Sequence, residues 1–140
     1  MTNQEKLIRF MKGKASLLSE AVGVPSELYF SKDDEECLYR LDDHRALMIW
    51  RSLKLAICTK KIEGLGVSTC PFCLIYHIDC ERCYYAKQHG KCRSGGHYTR
   101  IIETLSEKYE SPKELLTNEF YVNLLKSIEK EDVKCQTNQQ

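Results

Sequence analysis

Residues 70–92 read CPFCLIYHIDCERCYYAKQHGKC and contain five of the eight cysteines in the chain. Two cysteine pairs with C-x2-C spacing are separated by six residues, and a fifth cysteine follows after eight more. The five are Cys70, Cys73, Cys80, Cys83 and Cys92. Two such pairs can present four sulfurs to one point about 2.3 Å from each, which is the geometry that zinc requires. This stretch therefore predicts a metal-binding module.

The ligand set is open between two choices. The two C-x2-C pairs together supply a tetrahedral zinc site, although the gap between them is shorter than the roughly 15 residues or more found in zinc ribbons. Replacing Cys70 by Cys92 gives C-x6-C-x2-C-x8-C. That spacing suits a 4Fe-4S cluster and resembles the iron–sulfur loop of the endonuclease III-like DNA glycosylases, whose last gap is shorter. We predict Zn²⁺ as the cofactor, with a 4Fe-4S cluster as the alternative. His77, His89 and His97 rank below the cysteines, because histidines in a basic loop are commonly surface residues.

A wider pattern accompanies the cysteines. The residues that carry it are Cys70-Pro71-Phe72-Cys73, Cys80-Glu81-Arg82-Cys83, Gly90-Lys91-Cys92 and Tyr98. They resemble a pattern in small prokaryotic and bacteriophage proteins that reads C-P-L-C, C-x-x-C-P, a Gly-Lys turn and C-x-G-T-P-Y. This chain departs from it at Tyr84, where those proteins have proline, and at Gly96-His97, where they have Thr-Pro. The resemblance implies that all five cysteines belong to one module, and it brings no known activity with it.

The composition is that of an ordinary globular chain. Its 140 residues are 42% hydrophobic and 29% charged, with a net charge of +1, and they suffice for one domain with a modest core. No apolar run is long enough to span a bilayer, and residues 1–6 are too polar for a secretory signal. We therefore expect a cytoplasmic location without a membrane partner. In that compartment paired cysteines bind metal more often than they form disulfides.

Helices are predicted on both sides of the module. Residues 1–22 form an amphipathic helix that ends at Gly23, and Gly13 weakens its middle by about 1 kcal/mol relative to alanine, which allows two shorter pieces. Ser31 is the predicted N-cap of a long second helix that reaches about Lys61. The acidic run at 33–36 places negative charge in the first turn of that helix.

The C-terminal part completes an all-α fold. His97 to Tyr109 predicts a helix, and the Ser111-Pro112-Lys113-Glu114 capping box starts a final one, with a restart at Thr117 as the alternative. No strand is predicted. We expect a single helical domain over residues 1–133, with the cysteine module at 69–97 and a disordered tail at 134–140.

The cysteine segment is locally basic. Residues 70–100 carry five lysines and arginines against two acids, and tyrosines lie between them. Basic side chains neutralise phosphate and tyrosine rings stack on unpaired bases. The predicted nucleic-acid contacts are Lys87, Lys91, Arg93, Arg100, Tyr84 and Tyr85. In the alternative interpretation, the basic residues offset thiolate charge and the tyrosines pack around the module.

These patterns favour a metal-stabilised binding module with a nucleic-acid partner or a regulatory role. The alternatives are a protein–protein adaptor or inhibitor whose metal is purely structural, and an iron–sulfur redox or electron-transfer protein. An enzyme is not predicted, because the chain lacks a phosphate-binding glycine loop and paired carboxylates, and the cysteine set is closed. No small-molecule substrate is indicated.

Overall fold

The structure, a computed structural model, describes residues 1–60, 70–76, 82–89, 97–108 and 114–129, with the backbone alone at residues 60, 86 and 97–102. The described residues form seven α-helices, one 3-10 helix and no strand, which confirms the predicted all-α class. The helices are α1 (Asn3–Val22), the 3-10 helix (Ser26–Leu28), α2 (Lys32–Tyr39), α3 (Asp43–Lys60), α4 (Pro71–Ile75), α5 (Tyr84–His89), α6 (His97–Lys108) and α7 (Asn118–Glu129). None of the helices in these described ranges is long and apolar enough to cross a membrane.

Helix α1 is the centre of the fold, because α2, α3, α6, α7 and the 3-10 helix all pack against it. It begins with a capping box in which Thr2 and Glu5 each bond the other's backbone N–H group. It ends, as predicted, at Gly23, which has the left-handed φ of 75°. Phe10 occupies its middle and contacts the ring of Trp50 at 6.3 Å and that of Tyr121 at 6.2 Å. These three rings join α1, α3 and α7, which we call the three-helix core.

The expected weak point at Gly13 does not divide α1, which runs unbroken from Asn3 to Val22. Gly13 instead allows α1 and α7 to pack closely. A Cβ atom at this position would lie 2.5 Å from Leu124 Cδ1 of α7. The contact between helices therefore outweighs the low helix propensity of glycine.

The predicted long second helix is wrong, because it is two helices with a break at residues 40–42. Its start is confirmed: Ser31 forms a capping box with Asp34. At the break, the Asp42 carboxylate accepts the backbone N–H of Arg45 at 2.9 Å and so caps a new helix. Gln4 of α1 donates to the Leu41 carbonyl at 2.7 Å, which satisfies a backbone group that the break exposes.

The short helices α4 and α5 of the cysteine segment pack on α3 and α2, the two helices on either side of this break. Helix α4 lies against α3, where the Arg45 guanidinium donates to the Ile75 carbonyl at 2.7 Å, and α5 lies against α2. The final helix starts at the alternative position, since the Thr117 hydroxyl accepts the Phe120 N–H at 3.1 Å. The predicted capping residues 111–113 and the predicted tail lie outside the described residues.

Candidate thiolate site

The first cysteine pair lies at the start of α4. Cys70 is the N-cap with extended backbone angles, Pro71 takes the first helical turn, where its missing N–H group is not needed, and Cys73 follows within the same turn. The Leu74 N–H donates to the Cys70 carbonyl at 3.3 Å and closes this turn. Both cysteines are half-buried free thiols. The C-x2-C spacing thus places two thiols side by side in one helical turn.

The surroundings of Cys70 favour its ionised form. The pKa of Cys70 is lowered to about 6, and the largest cause is a hydrogen bond from the Cys73 thiol. Burial raises the pKa, whereas the positive charge of Lys14 and the backbone N–H groups of Cys73 and Phe72 add to the lowering. Thiolate is the form of cysteine that attacks electrophiles and binds metals, and at neutral pH Cys70 is largely in this form.

Lys14 is the source of the nearby positive charge, although it belongs to α1. Its side chain is 1% exposed, and its ammonium lies 5.6 Å from the centre of the Phe10 ring and 5.7 Å from that of Tyr121. Aromatic faces attract a cation electrostatically, which offsets part of the cost of burying the charge. The three-helix core therefore extends a cation towards the first cysteine pair.

Cys83 and Cys37 have a different environment, next to Tyr76. Burial, the neighbouring thiols of Cys37 and Cys83, and a hydrogen bond with Cys37 raise the pKa of Tyr76 to about 12. The Tyr76 hydroxyl lies 3.9 Å from Cys37 Sγ, and burial raises the pKa of Cys37. Both groups therefore stay protonated at neutral pH. Cys58, half-buried on α3, takes part in a disulfide.

The structure does not gather the described members of the predicted ligand set into one cluster. Within the described ranges, no three side chains of histidine, cysteine, aspartate or glutamate are close enough to hold one metal ion. Of the five predicted ligands, Cys70 and Cys73 are adjacent, and Cys83 is buried beside Tyr76. Cys80 and Cys92 lie outside the described residues.

The predicted nucleic-acid residues divide in a similar way. Lys87 is exposed and Tyr84 is half-buried. Tyr85, predicted to stack on bases, is instead a core residue at 3% exposure, because it fills the space between α4, α5 and the 3-10 helix. Its hydroxyl donates to the Tyr29 carbonyl, and its ring stacks on Phe72 at 5.0 Å. Lys91 and Arg93 lie outside the described residues, as does the side chain of Arg100.

A buried histidine–aspartate pair fixes α5, and the sequence analysis missed it. His89 Nε2 hydrogen-bonds to Asp34 Oδ2, and the His89 ring stacks on Tyr85 at 4.3 Å. His89 is 6% exposed and Asp34 is fully buried, so the expectation of a surface histidine is wrong. No local pattern marks a pair separated by 55 residues. Lys14 did carry a signal, since it interrupts the apolar series Leu7, Phe10, Met11 and Leu18 at the spacing of one helix face.

The fold and the site together define a small all-α protein with a C-x2-C thiol pair at the start of α4, which packs against α3. No family model, no curated protein and no solved structure matches this chain. Its function is therefore inferred from the residues themselves.

Proposed function

We propose that this chain is a metal-stabilised helical module in which Cys70 and Cys73 provide two thiolate ligands to zinc. The observation that carries the proposal is the adjacency of Cys70 and Cys73 in one helical turn, where the Cys73 thiol hydrogen-bonds to the Cys70 sulfur. The pKa of Cys70, lowered to about 6, supports it, because a thiol that is largely ionised at neutral pH gives up no proton when zinc binds. The backbone N–H groups of Phe72 and Cys73 also lower the pKa of Cys70, as outer partners of metal-bound thiolates do.

The remaining two ligands are proposed from Cys80, Cys83 and Cys92, the other cysteines of the segment. A bound zinc ion supplies folding free energy by joining distant parts of the cysteine segment. The same thiolates could hold a 4Fe-4S cluster, which remains the alternative cofactor. In either case the cysteines serve structure, and no enzymatic step is proposed.

Metal analysis with a visible absorption spectrum, on protein purified without oxygen, tests this proposal. We expect one zinc per chain and no colour. Cys70→Ser and Cys73→Ser should each lose the metal, whereas Cys37→Ser, which alters a free thiol in the other environment, should retain it. A metal-free protein with unchanged melting behaviour would contradict the metal site. Iron with acid-labile sulfide and a broad band near roughly 400 nm would replace zinc by the cluster.

We further propose nucleic acid as the partner of this module. The support is the basic surplus of residues 70–100 together with the exposure of Arg82 and Lys87. Burial and the negative charges of Asp33 and Asp34 raise the pKa of Tyr84, so the electrostatic environment of that hydroxyl is negative. Phosphates are therefore favoured on the Lys87 side rather than over Tyr84.

Charge reversal tests this partner. The triple variant Lys87→Glu, Lys91→Glu and Arg93→Glu should lose binding to a fluorescent single-stranded oligonucleotide. Loss of three phosphate contacts should reduce the slope of log K against log salt by about 2. The matched control reverses Arg9, Arg51 and Lys126, which are exposed on α1, α3 and α7. Unchanged binding of the first variant at low salt, or equal loss in the control, would exclude this face and leave a protein–protein adaptor as the alternative.

A further inference from the structure

We propose that Cys70 and Cys73 form a reversible dithiol–disulfide pair in the metal-free protein, oxidised by a low-molecular-weight disulfide such as oxidised glutathione. The inference uses two thiols of the proposed zinc site but does not require that the site binds metal. It assigns to the pair a covalent modification in addition to the proposed structural role.

The first support is the position of the two sulfurs. The Cys73 thiol hydrogen-bonds to the Cys70 sulfur, and the Leu74 N–H to Cys70 carbonyl bond closes one helical turn between them. Residues three apart in such a turn have Cα atoms about 5 Å apart, within the range of roughly 4.4 to 6.8 Å that disulfides span. Joining these sulfurs therefore requires side-chain rotation and no large backbone movement.

The second support is the contrast with the other described free cysteines. Cys70 and Cys73 each keep part of their surface exposed, whereas Cys83 is 8% exposed. Cys37 is half-buried too, but it lies against the Tyr76 hydroxyl and has no cysteine neighbour at C-x2-C spacing. Among the described cysteines that form no disulfide, only the first pair combines partial exposure with a second described thiol in the same helical turn.

The chemistry is two successive exchange steps. The Cys70 thiolate attacks one sulfur of the reagent RSSR, forming a mixed disulfide and releasing RS⁻. Cys73 then gives its proton to solvent or to RS⁻ and displaces the second RS⁻ from Cys70. Two electrons pass from the cysteines to the reagent. One intramolecular disulfide forms, and the two released RS⁻ groups become two thiols by taking up the Cys73 proton and one proton from solvent.

The test uses the full chain, reduced and treated with a chelator, and then equilibrated in a series of glutathione redox buffers. Free thiols are blocked with N-ethylmaleimide, and the chain is cleaved after lysine and arginine and before aspartate. The peptide 62–78 then carries Cys70 and Cys73 as its two cysteines. In oxidising buffers we expect most of this peptide without maleimide and lacking two hydrogens, and dithiothreitol should restore the doubly labelled form.

Two variants make the result specific. Cys73→Ser should hold glutathione on Cys70 at least about ten-fold longer than the wild type, because the displacing thiol is gone. Cys37→Ser, the matched control, should leave the peptide result unchanged. Doubly labelled peptide in every buffer, or a disulfide from either cysteine to one outside residues 62–78, would overturn the proposal. The wild-type peptide decides between these outcomes even if Cys73→Ser fails to fold, and failure of zinc binding affects none of them.

Discussion

The three-helix core and the cysteine turn (residues 70–76) both contain a charged group with a nearby lysine, but they surround that group differently. In the core, Glu129 is the charged group, with a side chain 4% exposed. Its carboxylate accepts hydrogen bonds from Lys54 Nζ at 2.7 Å, Trp50 Nε1 at 2.7 Å and Lys6 Nζ at 3.1 Å. Burial alone would raise the pKa of Glu129, but these three donors lower it. The carboxylate is therefore enclosed by its partners.

In the cysteine turn the sulfur of Cys70 also has a lysine nearby, but the largest cause that lowers its pKa is the hydrogen bond from the neighbouring Cys73 thiol. The partners of Glu129 come from other helices, and a lysine ammonium or an indole N–H group only donates and has no lone pair for a metal. A second thiol can bind a metal or form a disulfide. The kind of partner, rather than the charge, therefore separates the carboxylate that joins helices from the thiol pair proposed to bind zinc.

Removing the Glu129 carboxylate should have the largest effect, namely on the free energy of unfolding. Glu129→Ala leaves Lys6 and Lys54 without their shared partner and the Trp50 N–H unsatisfied, so we expect a loss of about 3 kcal/mol in the free energy of unfolding, measured by urea denaturation. Glu129→Gln keeps an oxygen for Trp50 and should cost less. Thiol reactivity of Cys70 should not change in either variant. A loss below about 0.5 kcal/mol in Glu129→Ala would contradict the structural role.

Removing the positive charge of Lys14 near the Cys70 thiol should have an intermediate effect, namely on the reactivity of that thiol. Because the folded-state pKa of Cys70 is about 6, its alkylation by iodoacetamide in metal-free protein should stay fast as pH falls towards 6. Lys14→Met keeps the buried volume but removes the positive charge, so the pH profile should move to higher pH and the rate at pH 6 should fall about three- to ten-fold. Lys14→Arg should restore the profile in part, and an unmoved profile in Lys14→Met would show that Lys14 is only a packing residue.

The smallest effect should come from the close contact between α1 and α7. Gly13→Ala gains helix propensity but forces the Leu124 side chain to turn, so we expect a net loss of about 0.5 to 1 kcal/mol. In Leu124→Ala protein the same substitution should become neutral or stabilising, which a double-mutant cycle measures. Stabilisation by Gly13→Ala alone would mean that the contact is looser than described.

The local signals of the sequence predicted local structure well. Gly23, Ser31 and Thr117 mark helix ends through their own backbone and side-chain chemistry, and α1 and α6 carry clear apolar stripes. The break between α2 and α3 was not predicted, although Asp42 at this position is a good N-cap residue.

The site was predictable to a lesser degree. The C-x2-C spacing identified the adjacent pair Cys70 and Cys73, since residues three apart share a helical turn. The contribution of Lys14 depends on how α1 packs against the cysteine segment, and burial of Tyr85 depends on the docking of α5. Such tertiary contacts leave no periodic pattern in the chain, so residues that resemble a binding surface in the sequence can belong to the core.

The double role of Asp34 has a consequence for protein engineering. One carboxylate caps the first turn of α2 and also holds His89, so the cysteine segment depends on a residue that precedes it by several dozen positions. Arg45 and Tyr29 likewise hold α4 and α5 from outside the segment. A peptide of residues 69–97 would carry every predicted metal ligand but none of these contacts. Residues 69–97 are therefore not expected to keep their structure when moved alone into another protein. Such a transfer would have to include the residues of α2 and α3 that contact them.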